Sequence, residues 1–182
     1  MCGPDQAACG QVIESSRRYC SCMADLATQS AREGEKQEGG PPPVRVVERF
    51  LALLCAKDID GASDLLADDV EYVNVGLPTV HGRERVRRLL RATLGRAGAG
   101  FEVYTHAISA SGPSVLTERT DVLVFRRLRI QFWVCGRFDV HDGQIVLWRD
   151  YFSLTSYSAA TLRGLLGVVI RAARAKPPAT LS

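Results

Sequence analysis

The sequence lacks an apolar run near the roughly 18 residues that a membrane span needs; its longest obvious one is Leu165 to Ile170. It also lacks a basic stretch followed by a roughly 7–15-residue apolar segment near its beginning, as a secretory signal would have. A cytoplasmic protein with reduced thiols is expected. Net charge is scarce too, at +3 over 182 residues, which does not point to nucleic acid as a partner. Lysine supplies only three of the 23 bases and arginine the other 20; we read this as a compositional bias and not as chemistry. Histidine occurs three times. His81 and His141 fall at turns and His106 on a strand surface, so none is assigned a role.

What is present suits a soluble globular chain: 46% hydrophobic and 24% charged residues. It can bury a core without disulfide staples. Four of the six cysteines (Cys2, Cys9, Cys20, Cys22) lie in residues 1–43, with six acids and four bases and almost no apolar periodicity. Structural zinc sites favour Cys or His pairs two to four apart. Here Cys20 and Cys22 are separated by one residue, Cys2 and Cys9 by six, and no His is near. A solvated extension is the better reading, and Met23 offers an alternative start. Gly34 to Pro43 reads as a linker. The remaining residues, 44–182, carry 19 bases and 14 acids, a net +5, and form the expected domain. Cys55 and Cys135 fall in a helix and a strand, as small hydrophobes.

Within that domain, Val46, Val47, Phe50, Leu51 and Leu54 recur at helical spacing and predict a helix over Val44 to Ala56. Asp58 or Asp60 can cap a short second helix reaching Leu65 and Leu66. A strand is expected over Val70 to Val75, then a turn at Gly76-Leu77-Pro78 and a short return at Thr79-Val80. Gly82 to Arg96 reads as a helix whose arginines form a solvated face. Four strands follow, over 101–109, 114–125, 129–140 and 144–154, joined by hairpin turns. A helix from Ser158 to Ala175 closes the chain before Pro177-Pro178. Runs of strands with short turns argue an α+β domain with a curved, mostly antiparallel sheet covered by helices, which can leave a concave cavity for a small ligand.

The strands carry polar residues where apolar ones are expected. Arg119 and Asp121 are two apart and share a face with Thr117 and Leu123, while Leu116, Glu118 and Thr120 share the other. Asp150 lies between Trp148 and Phe152 on an aromatic face, where a lone carboxylate is costly. Tyr72 and Asn74 share a face with Val70. These residues either form surface pairs or meet in one pocket. In the second case an Arg bridging two carboxylates could keep one protonated and the other ionised, as acid–base work requires.

Four segments, Glu71-Tyr-Val-Asn-Val-Gly76, Leu116-Thr-Glu-Arg-Thr-Asp121, Gln131-Phe-Trp-Val-Cys-Gly136 and Leu147-Trp-Arg-Asp-Tyr-Phe152, strongly resemble limonene-1,2-epoxide hydrolases, above all the mycobacterial members. The resemblance spans about residues 44–175. It implies a cystatin-like α+β cone with a deep pocket, and an epoxide hydrolase that converts an apolar epoxide (terpene, lipid or sterol-like) to a vicinal diol. It implies catalytic roles for Tyr72 and Asn74 (holding water), Arg119 (between the acids), Asp121 (proton donor) and Asp150 (base), with no metal or organic cofactor. Candidate pocket walls are Leu77, Leu116, Leu123, Phe132, Val134, Trp148 and Phe152. The family likeness also implies a homodimer. The basic amphipathic last helix is read as closing the cavity or joining that dimer, with a membrane-surface role the lesser reading. An isomerase or cyclase on the same cone, or a binding protein for hydrophobic ligands, are the alternatives.

Overall fold

The computed structural model describes residues 40–169. The four cysteines of the N-terminal segment, most of the linker and the basic end of the last helix lie outside the described residues. The first element of the described residues is helix α1 (Pro43–Ala56). Proline suits the first turn because its missing N–H would have no partner there. The helix ends at Lys57, whose left-handed backbone (φ 62°) turns the chain. Asp58 then caps helix α2 (Ile59–Asp64), accepting from Gly61 N at 2.9 Å. Leu65 and Leu66 are not part of that helix as expected: Leu66 opens strand β1 (Leu66–Asn74), and its fully buried side chain joins the core from the sheet.

Strand β2 (Val80–His81) and helix α3 (Arg83–Leu94) follow. The arginines of α3 pair with carboxylates: Arg83 with Asp68 at 3.1 Å, Arg87 with Asp60 at 3.7 Å and with Glu84. That is a solvated, ion-paired face. Three long hairpin strands come next, β3 (Ala99–Ser111), β4 (Ser114–Phe125) and β5 (Leu128–His141), then β6 (Gln144–Tyr151). The β5–β6 turn has Asp142 at φ 49° and Gly143 at φ 74°, the positive pair that matches strand twist in a two-residue hairpin.

Helix α4 (Leu154–Val169) starts four residues earlier than the expected Ser158. Ser153 explains the shift: its side chain accepts from Ser156 N at 3.3 Å and its carbonyl from Tyr157 N at 2.8 Å. These bonds start a helix and end the strand at Tyr151.

The six strands form one curved sheet in the order β2-β1-β6-β5-β4-β3. Every pairing is antiparallel except β1 with β6, which is parallel. One face, the inner face, is covered by helices at two places. At one end α1 sets Phe50 edge-on against Phe138 and Trp148, with ring centroids 6.2 and 5.0 Å apart. At the other end α4 sets Tyr157 against Phe132 and Phe152, at 5.0 and 6.0 Å. Between the two lies the stretch of β5 around Val134 and Gly136. Apolar burial at both ends holds the sheet's curvature and leaves the middle for polar groups.

Candidate active site

Alternate residues of a strand share a face. On β4 that places Thr117, Arg119 and Asp121 together. The strand registers carry the face sideways: Thr117 stands opposite Gly136, Arg119 opposite Val134 and Asp121 opposite Phe132 on β5. Gly136 stands opposite Asp150 on β6, and Asp150 and Trp148 stand opposite Asn74 and Tyr72 on β1. All five expected catalytic residues therefore lie on the inner face.

Arg119 is the centre of the set. It is fully buried, while Asp121 and Asp150 are 4% and 5% exposed. Its Nε donates to Asp121 Oδ1 at 2.9 Å and its Nη2 to Asp150 Oδ1 at 2.7 Å. Its Nη1 donates to Thr117 Oγ1 at 2.9 Å, and its Cζ lies 5.7 Å from the Phe138 ring centre. The second oxygen of Asp150 accepts from the Trp148 indole Nε1 at 2.9 Å. Tyr72 and Asn74 are only half-buried, so they are the accessible side of the site.

Two ionised carboxylates and one guanidinium leave a net negative charge in a dry interior. Such a set is best satisfied by holding one proton. The Asp121 carboxyl shifts in that direction: burial pushes its pKa up to about 6, with the Arg119 charge opposing and the Asp150 charge adding to the rise. Burial opposes the Arg119 charge as well, but Asp121 and Asp150 outweigh it and keep the guanidinium firmly protonated. Burial first, then the Asp150 carboxylate, holds the Tyr72 phenol above its usual range. It stays a neutral hydroxyl at any ordinary pH.

The expected pocket walls divide. Leu123 and Phe132 are half-buried on the inner face, beside Asp121 in register. Phe152 packs on Phe132 with ring centres 5.6 Å apart. Val134 is buried opposite Arg119. Trp148 is buried in the core between Phe50 and Tyr72, and its polar edge is a hydrogen-bond donor to Asp150 as well as an apolar surface. Leu77 stands half exposed in the turn after β1. Leu116 corrects the expectation. It is 53% exposed and, being one residue out of phase with Thr117 and Arg119, lies on the outer face. Three contributors were not singled out from sequence: Thr117, the donor role of Trp148, and Tyr157 of α4. The first two lie two residues from Arg119 and Asp150, so their shared face was a usable signal.

His106 bonds Thr120 Oγ1 at 2.8 Å, away from the inner face. Among the described residues no helix is long and apolar enough to cross a membrane.

An α+β cone with an Asp–Arg–Asp set on the inner face of its sheet defines a small-molecule enzyme with paired carboxylates. Known proteins sharpen that class. The limonene-1,2-epoxide hydrolase catalytic domain matches residues 41–163. Epoxide hydrolase EphG of Mycobacterium tuberculosis is 48% identical over 129 residues, 71% of this chain and 85% of that protein. A solved M. tuberculosis LEH-like epoxide hydrolase is 47% identical with a TM-score of 0.69, covering 74% of this chain and 95% of its own. A protein with a ketosteroid isomerase-like fold from Catenulispora acidiphila shares the fold alone, at 19% identity and a TM-score of 0.57 over 64% of this chain and 91% of its own. The chain belongs to the limonene-1,2-epoxide hydrolase family, and is an enzyme of that type.

Proposed function

We propose that the protein adds water to an apolar epoxide by concerted general acid–base catalysis, giving a vicinal diol. The observation that carries this reading is the single buried guanidinium shared by two carboxylates. An epoxide is strained, but its oxygen leaves poorly as a free alkoxide at neutral pH. Asp121, with its raised pKa, gives that oxygen a proton as the C–O bond breaks. Oδ1 of Asp121 is taken by Arg119, so the proton is delivered from the other oxygen.

Water is a weak nucleophile. Asp150 takes its proton while Tyr72 and Asn74 fix its position at the carbon. The attack leaves Asp121 ionised and Asp150 protonated. Both acids bond Arg119, and a proton passing from Asp150 back to Asp121 restores the start. Each proton has a side-chain donor and acceptor, and no covalent ester forms.

The apolar residues around Asp121, namely Leu123, Phe132 and Phe152, suit a terpene, lipid or sterol-like substituent. We take residues 44–182 as the catalytic domain behind an extension of residues 1–43, and the working form as a cytoplasmic homodimer. The test is a panel of terpene, fatty and sterol epoxides in oxygen-18 water under single turnover. One solvent oxygen in the diol is expected. No diol from any epoxide, or an oxygen arriving from a carboxylate, refutes the reading.

A further inference from the structure

Arg119 starts on β4 and ends on Asp150 of β6, so its side chain crosses β5. Neighbouring strands are about 4.8 Å apart, and the crossing is therefore about 10 Å wide. The inner face of β5 reads Phe132, Val134, Gly136, Phe138, and the guanidinium passes over its one position without a side chain. A Cβ at Gly136 would stand 2.0 Å from Arg119 Nη1 and 2.6 Å from Thr117 Oγ1. No shift of a flexible tip relieves that, because both atoms belong to buried, bonded groups.

The guanidinium has a directional problem as well. Its Nε and Nη2 hydrogens share one edge, the edge that grips a single carboxylate bidentately elsewhere. Here that edge is divided between Asp121 and Asp150. Only Nη1 points the other way, and Thr117 Oγ1 accepts from it while donating to the Gly136 carbonyl at 3.4 Å.

We propose that Thr117 and Gly136 form a seat that holds the Arg119 guanidinium across both carboxylates, with Thr117 a positioning residue for the hydrolysis. Without the hydroxyl, Nη1 loses its acceptor and the plane is free to turn. The donor edge can then close on one acid and abandon the other. The kinetic side of this inference rests on the acid–base reading above; the geometric side does not.

The test compares wild type, Thr117→Val and Thr117→Ser. In the valine variant kcat should fall at least tenfold with KM within threefold, and serine should restore it to within threefold. A stability role alone would not divide kcat from KM this way or depend on the hydroxyl. In parallel, nitrogen-15 spectra of the Arg119 guanidinium report rotation about its Cζ–Nε bond. Two separate Nη signals are expected in wild type and the serine variant, and one averaged signal in the valine variant. Unchanged kcat and unchanged spectra in Thr117→Val overturn the seat. So do averaged Nη signals in folded wild-type protein, whether or not the valine variant folds. Separate signals that merge in Thr117→Val, in a protein that hydrolyses no epoxide, would keep the seat and remove the reaction.

Discussion

Replacing Asp121 by Asn should make the protein more stable and inactive at once. The carboxyl is 4% exposed, and burial raises its pKa from 3.8 to about 6. The folded protein thus holds this proton more tightly than the unfolded chain. The contribution favours folding below pH 3.8 and is lost as pH rises through about 6. A shift of about two units corresponds to about 3 kcal/mol. Asn has the same shape, keeps an oxygen for Arg119 Nε and cannot ionise. Its melting temperature should therefore match wild type near pH 4 and exceed it by roughly 6–12 °C above pH 7, for a domain of this size. Turnover should fall by about 10²–10⁴, the usual worth of a general acid. The assay is a set of thermal melts of both proteins across pH 4 to 8, beside diol formation at each pH. A stability difference that does not grow with pH, or a variant less stable than wild type at pH 8, refutes the argument. It would mean that the Arg119 charge, not burial, dominates at Asp121.

Two more expectations follow from the same geometry. Trp148→Phe keeps most of the aromatic packing but removes the 2.9 Å bond to Asp150 Oδ2. A bond to a buried charged group is worth about 1.5–3 kcal/mol, so kcat should drop about ten- to hundredfold with KM little changed; full kcat would show that Arg119 alone orients the base. A chain beginning at Gly40 should match the full chain in kcat and in sedimentation, and a change in either would tie the N-terminal extension to the pocket or to assembly.

The two-residue alternation of β4 and β6 made much of the site legible. Arg119 and Asp121 had to share a face, as did Trp148 and Asp150. The same rule places Leu116 with Glu118, away from them, and on a strand parity outranks apolar character: Leu116 is exposed on the outer face. Register was not legible. Nothing local in the sequence sets Gly136 opposite both Thr117 and Asp150, because pairing depends on how three strands slide before they lock. The start of α4 was missed for a different reason: Phe152 and Leu154 continue the strand alternation, and only the Ser153 cap ends it. Trp148 looked like wall because an indole is mostly apolar surface; its one N–H becomes informative only when a carboxylate is seen beside it.

The parallel pairing of β1 with β6 has a consequence for the order of folding. β3 through β6 are joined by tight hairpins and can zip locally. β1 enters next to β6 only after the chain has run through α3 and three hairpin strands, so it closes the longest loop between paired strands of the sheet. That pairing also brings Tyr72 and Asn74 to Asp150. A partly folded chain can thus assemble the Arg119 pair with both acids while lacking the groups that hold the water. Competence for turnover is gained at the last closure of the sheet, and a loosened first strand would silence the enzyme while most of its core stays intact.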